Sequence, residues 1–240
     1  MARILNISTY RFVLIGDPEA VKSRLEPHAA ALGLKGTLLI AREGINAFLA
    51  GPETTVRTFL AILDDDPRFA NLDVKESWSD DIPFHKMKIK VKDEIISFRQ
   101  VGVNPAECPA PAMSALELKA RLDRGEDIVL LDTRNDVEVE TGTFKNAVFW
   151  GNKNFTEFAD RARAHVSELK GKTVVSFCTG GIRCEKAAPF LQSLGATNVY
   201  QLNGGILRYF EDVGRDYYEG DCFVFDERAA VDPALAPTQR

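Results

Sequence analysis

The hydrophobic period of the chain changes across one segment, Val101–Met113, and this divides what the chain can fold into. The segment reads VGVNPAECPAPAM and holds three prolines. Proline fixes φ and removes a backbone donor, so neither a helix nor a central strand can run through it. It reads as a linker. The 240 residues then divide into a front domain over 1–100, a linker over 101–113, a second domain over 114–214 and a tail over 215–240.

Before the linker, Ile4–Ile15 alternates as a strand. DPEAVKSRLEPHAAALG follows as a helix, with Asp17 as N-cap, Pro18 at the first helical position and Gly33 as the stop. KGTLLIAREGINAFLAG predicts two strands about a turn at Glu43-Gly44, PETTVRTFLAILDDD a second helix and LDVKESW a further strand. The order β-α-β-β-α-β is that of a ferredoxin-like α+β sandwich. HKMKIKVKDEIISFR predicts an additional hairpin turning at Asp93-Glu94.

After the linker, DIVLLD and KTVVSF are short continuous apolar runs, as strands buried on both faces require. Helical segments stand between them: SALELKARLDRG, capped by Ser114, then FTEFADRARAHVSELKG, EKAAPFLQSLG and GGILRYFEDVG. NAVFWG and NVYQL complete the strands. Strands alternating with helices predict an open parallel α/β sheet, whose ligands sit at the carboxyl ends of the strands.

One such end carries SFCTGGIRCEKAA, Ser176–Ala188. Cys178 lies between a strand and a helix N-terminus, where free amides and the helix dipole favour an anion. Gly180 and Gly181 let amides converge without a Cβ in the way. Arg183 adds a fixed positive charge. Such surroundings lower a cysteine pKa to roughly 3.5–7.5, so Cys178 is the candidate nucleophile and Thr179, Gly180, Gly181, Ile182 and Arg183 are its loop. Cysteine-dependent phosphatases place five residues between cysteine and arginine, whereas here there are four. Cys184 has two readings: a resolving thiol for Cys178, or a small residue at the helix start. Cys108 and Cys222 show no partner pattern.

The four cysteines contain no CxxC pair, and no histidine stands near them at zinc-ligand spacing. Free thiols and no metal are expected. No apolar run reaches the 18 or so residues of a membrane span, and the N-terminal stretch has no signal-like apolar core. A cytoplasmic protein without membrane association is the expectation. The net charge of -5 argues against general coating of nucleic acid but leaves room for a local basic patch.

The short loop resembles that of the rhodaneses, whose cysteine carries a persulfide. LLDTRNDVEVETGTFKNAV supports the resemblance, with Asp132, Thr133 and Arg134 in an Asp-x-Arg turn and Glu138 or Glu140 as the acid. LNGGILRYF resembles a rhodanese helix start at Gly204-Gly205. Thr143 and Asn146 depart from the usual histidine and glycine. Together with GLKGTLLIAREGINAFLAG, FHKMKIKVKDEI and GDCFVFDERAAVDP, these motifs resemble the rhodanese-related tRNA uridine 5-hydroxylases from about Tyr10 to Pro233.

The resemblance implies an acylphosphatase-like front domain before a rhodanese-like domain. It also implies oxygen-dependent formation of 5-hydroxyuridine at the tRNA wobble position. Cys178 would be the active cysteine, molecular oxygen the co-substrate and the tRNA anticodon region the partner. Asp132 and Arg134 would brace the loop. A rhodanese-type sulfurtransferase and a non-catalytic RNA-binding module are the alternatives.

A surface for RNA is read from HKMKIKVK. Lys86, Lys88, Lys90 and Lys92 alternate with Met87, Ile89 and Val91, which puts the lysines on one strand face over about 20 Å. Such a stripe could follow several phosphates or be an ordinary solvated sheet face. Arg42, in the AREGIN turn, is a second candidate for phosphate contact.

Overall fold

The computed structural model describes residues 3–238, in two compact units. One runs to Ile96 and takes in Asp226–Arg228. The other comprises Ser97–Phe225 and the residues from Ala229 onward.

The first unit contains β1 (Ile4–Phe12), α1 (Pro18–Ala31), β2 (Lys35–Ala41), β3 (Gly44–Pro52), α2 (Glu53–Asp64), β4 (Val74–Ser79) and β5 (Met87–Val91). Its sheet has the order β4-β1-β3-β2-β5. The first four strands pair antiparallel, and β5 adds in parallel to β2. The ferredoxin-like order is thus present, with one strand appended at its edge. The Asp17 carboxylate accepts the Ala20 N–H at 3.0 Å and Pro18 opens α1, so the start of this helix is set locally. Leu5, Ile7, Leu38, Ile40 and Leu49 from the sheet bury against Val21 and Leu25 of α1 and Val56, Phe59 and Leu63 of α2. Each such side chain stabilises the unit by roughly 1.5–3 kcal/mol.

The expected hairpin at Asp93-Glu94 is absent: β5 is a single strand, and residues 92–100 form no strand. Side chains satisfy the backbone there instead of a ladder. The Ile95 N–H donates to Glu43 Oε1 at 2.7 Å, and Asn46 Nδ2 donates to the Ile95 carbonyl at 3.0 Å. Ile95 is fully buried, which an exposed second strand of a hairpin would not achieve. The tight turn between β2 and β3 falls at Arg42-Glu43, one residue earlier than expected.

The second unit contains β6 (Ala112–Met113), α3 (Ala115–Asp123), β7 (Ile128–Asp132), α4 (Asp136–Thr141), β8 (Gly142–Phe144), β9 (Val148–Phe149), α5 (Phe158–His165), β10 (Thr173–Phe177), α6 (Ile182–Ser193), β11 (Val199–Leu202), α7 (Gly205–Asp212), β12 (Tyr218–Gly220), β13 (Cys222–Phe223) and β14 (Ala230–Val231). The long helix expected over 155–171 is broken, with a 3-10 turn on each side of α5. Its main sheet is wholly parallel, in the order β6-β11-β10-β7-β9. β10 is central, and Val174, Val175, Ser176 and Phe177 are all buried, which explains its uninterrupted apolar pattern.

The ends of the second unit contribute to its core. Ala112–Met113 forms the edge strand beside β11. β12 pairs with β8 and β13 with β14. Tyr218 and Cys222 pack with Phe144, Phe177 and Tyr209 in one apolar cluster. Phe144 meets Phe177, Tyr209 and Tyr218 edge-on, with centroids 4.7–5.2 Å apart. No helix of the described residues is long and apolar enough to cross a membrane.

Candidate active site

β7 and β10 run in parallel register, with Phe177 opposite Asp132. Their carboxyl ends therefore bring Thr133 beside the loop that leaves Phe177. The Thr133 N–H and its hydroxyl both donate to the Phe177 carbonyl, each at 3.0 Å. Cys178 follows and is fully buried. The loop closes back through Gly181, whose φ of 98° lies in the left-handed region. The Gly181 N–H then donates to Cys178 Sγ at 3.1 Å.

A second helix holds the other side of the loop. At the start of α7 the Ile206 N–H donates to the Cys178 carbonyl and the Leu207 N–H to the Thr179 carbonyl, both at 3.0 Å. Orphan amides of a helix N-terminus thus take up the loop carbonyls. This contact demands glycine at 205. A Cβ there would lie 2.4 Å from the Cys178 oxygen and 2.7 Å from both Gly181 N and the Thr179 oxygen, all backbone atoms. Gly205→Ala is predicted to displace the loop and destabilise the second unit by roughly 1–3 kcal/mol. It should also lower the reactivity of Cys178 toward iodoacetamide at neutral pH. A variant with wild-type alkylation rate and melting temperature would show that the loop tolerates the displacement.

Two buried ion pairs brace the site. Arg183 makes a bidentate pair with Glu138 at 2.6 and 2.7 Å, with Glu138 fully buried. Glu138 also accepts the Thr179 hydroxyl at 3.2 Å and the Asn135 N–H at 3.0 Å. Burial pushes the Glu138 carboxyl up, but the Arg183 guanidinium outweighs it and holds the carboxyl below its usual range. Glu140 is exposed, so Glu138 is the acid of this segment. Arg183 therefore locks the loop to α4.

The second pair joins Asp132 and Arg134 at 2.7 Å, both fully buried. Arg134 also donates to the carbonyls of Gly142 at 2.6 Å and Glu138 at 3.3 Å. Asp132 accepts the Arg134 N–H at 3.0 Å and the Thr143 hydroxyl at 2.7 Å. This pair ties β7 to α4 and β8. From the stretch between β7 and β8, Thr133 and Glu138 are the residues that hydrogen-bond to the cysteine loop itself.

Burial alone would push the Cys178 thiol up. The neighbouring Cys184 thiol, the Arg183 charge, and the N–H groups of Arg183 and Gly181 act the other way and bring it down to about 6. The surroundings of Cys178 therefore favour its thiolate over the thiol. Cys184 is buried beside it, with Thr133 Oγ1 3.7 Å from its sulfur.

Residues 4–95 match the model of the UPF0176 acylphosphatase like domain, and residues 114–212 match that of the rhodanese-like domain. A protein named tRNA uridine(34) hydroxylase, from Bordetella avium, is 52% identical over 239 residues, covering 98% of this chain and 99% of its own. The chain belongs to the tRNA uridine(34) hydroxylase family. A second protein of that name, from Delftia acidovorans, is 52% identical, with 99% of this chain and 92% of its own covered. Among solved structures, the rhodanese-like domain of an Anabaena protein matches at TM-score 0.39 and 25% identity, over 46% of this chain and 79% of that one.

In this member of the family the structure buries one cysteine that has no sequence signal. Cys222, on β13, is fully buried in the apolar cluster with Phe144 and Phe177. Burial pushes its thiol up to about 12, so it packs as a neutral thiol. The basic candidates stand in the other unit. Lys86, Lys88, Lys90 and Lys92 are all exposed on or beside the edge strand β5, while Ile89 between them is buried, as the alternation predicts. Arg42 is exposed in its turn. Among the described residues no group of three or more His, Cys, Asp or Glu is placed to hold a metal ion.

Proposed function

We propose that this protein hydroxylates uridine 34 of tRNA at C5, with Cys178 as the reactive thiolate and molecular oxygen as co-substrate, one oxygen atom entering the base and the other leaving as water with two electrons from an external reductant. The observation that carries the reading is a thiolate-forming cysteine, held by loop amides, in a chain colinear with proteins named tRNA uridine(34) hydroxylase. Thr179, Gly180, Gly181 and Ile182 supply the loop backbone, and Arg183 fixes it through Glu138. Asp132 and Arg134 keep the two strand ends in place. The enzyme acts in the cytoplasm on the anticodon region of its tRNA.

Mass spectrometry of tRNA nucleosides tests the reading. A deletion strain should lose 5-hydroxyuridine and the nucleosides built on it, and the wild-type gene should restore them. Undiminished 5-hydroxyuridine in the deletion strain, with no second enzyme present, would remove the proposal. The match of residues 114–212 to the rhodanese-like domain supports one other reading, a sulfurtransferase passing sulfane sulfur from Cys178. It would be favoured by robust thiosulfate-dependent turnover together with unchanged tRNA nucleosides.

The substrate surface includes the exposed lysines of the first unit in this proposal. Replacing Lys86, Lys88 and Lys90 by glutamate is expected to weaken tRNA binding at least about tenfold. The log-log salt slope should become shallower by about 2. Equal affinity and slope in filter binding across 50–200 mM salt, a span of about the range where phosphate contacts are felt, would exclude the stripe.

A further inference from the structure

The first sheet carries an aromatic ring on the face away from its helices. From β3 the core takes Ile45, Ala47 and Leu49, which pack with α1 and α2. Side chains alternate along a strand, so Phe48 stands on the opposite face, where it is half-buried. Register sets it in a row across the sheet. Ser8 of β1 and Thr37 of β2 are its direct partners, and Lys88 of β5 stands beside Thr37. Ser8 and Thr37 are short, so the phenyl ring rises above the side chains on either side of it. The next row on that face holds Leu39 beside Lys90. Lys88 and Lys90 are exposed, while Ile89 between them goes to the core. The edge strand thus turns its lysines to the same face as the ring.

Two strand spacings, about 10 Å, separate the Cα atoms of Phe48 and Lys88. The flexible stem of a lysine spans much of that gap. A ring bordered by cations on a sheet face fits single-stranded RNA, whose unpaired bases stack on aromatic side chains while basic residues follow the phosphates. A paired stem keeps its base faces stacked on one another and has none to offer the ring.

We propose that Phe48 is a base-stacking residue: a base of the single-stranded anticodon loop lies on its ring, and Lys88 and Lys90 take the neighbouring phosphates. The proposal rests on the reading of tRNA as substrate. It adds a contact of a different kind to the lysine stripe. Lysines supply affinity that depends on salt and ignores sequence. The ring supplies affinity only where a base is unpaired, so this face tells loop from stem.

Fluorescence anisotropy of a labelled anticodon stem-loop RNA with the full chain tests the contact. Phe48→Ala is expected to weaken binding about tenfold, as loss of one stacked base does. The log-log salt slope should remain that of wild type, because no phosphate contact leaves with the ring. Phe48→Tyr should bind as wild type. Phe48→Leu should bind as weakly as the alanine variant, since leucine keeps apolar bulk but has no π face. Wild-type affinity in Phe48→Ala, or a leucine variant as tight as the tyrosine one, would overturn the proposal. So would a wild-type dimer that Phe48→Ala dissociates with RNA affinity unchanged, which would give this face to a second copy of the chain.

The unmutated protein supplies an independent reading, in case the variants fold poorly. With 5-iodouridine placed in turn at each loop position other than 34, irradiation should cross-link the RNA to Phe48, as located by mass spectrometry. Cross-links confined to other residues would sink the idea. Neither measurement needs turnover. Undiminished 5-hydroxyuridine in the deletion strain would remove the hydroxylase reading and leave the stacking contact to stand or fall by its affinities. Unchanged affinity in Phe48→Ala, with 5-hydroxyuridine lost on deletion, would remove the contact and leave the hydroxylase.

Discussion

Cys178→Ser, carried as the sole copy of the gene, is expected to reduce 5-hydroxyuridine in tRNA to the level of the deletion strain. The substitution changes one atom and leaves the volume of the loop nearly intact. Its effect would therefore come from charge. A serine hydroxyl stays neutral where the Cys178 thiol ionises at about 6. The Gly181 N–H, the Cys184 thiol and the Arg183 guanidinium are arranged around an anion, and the serine variant supplies none. Cys178→Ala should behave the same way.

The wild-type rate should follow the same ionisation. It rises as pH climbs through about 6, because the thiolate forms in that direction, and levels off above it. Mass spectrometry of nucleosides from the complemented strains decides the matter. Normal 5-hydroxyuridine with Cys178→Ser would leave Cys178 without a catalytic role and favour a non-catalytic RNA-binding module.

Arg134→Leu is expected to produce the largest loss of stability among single changes at the site, roughly 3–5 kcal/mol. Arg134 is fully buried and pairs with Asp132, also fully buried. Removing it leaves a carboxylate in the interior without its cation. It also strips hydrogen bonds from the carbonyls of Gly142 and Glu138. Adding Asp132→Asn should restore part of the loss, since the uncompensated charge disappears with it. Hydrogen exchange of the β7 and β10 amides reports the second unit specifically. Protection in Arg134→Leu equal to wild type would show that this pair is dispensable to the sheet.

The fold was legible where local patterns decide it. The apolar runs before Asp132 and Cys178 could only be strands buried on both faces. The Asp17-Pro18 start of α1 is a local device, and the structure repeats it bond for bond. The hairpin at Asp93-Glu94 was misread because alternation continues past β5. What stops the strand is a pair of side chains, Glu43 and Asn46, which lie about fifty positions away in sequence. Local alternation holds no information about such distant competitors for a backbone donor.

The same division runs through the site. By itself the sequence determined that Cys178 follows a strand, that glycines open its loop, and that a helix begins just beyond. These are consequences of backbone conformation, which neighbouring residues set among themselves. Tertiary structure alone decided that Arg183 pairs with Glu138 and not with Glu140. It also packed Cys222 into the apolar cluster with Phe144 and Phe177, and set the Thr133 hydroxyl 3.7 Å from the Cys184 sulfur. Arg183 and Glu138 stand 45 positions apart. The partner of a charge or a thiol is chosen by which elements the packed sheet brings together, and that choice has no period along the chain.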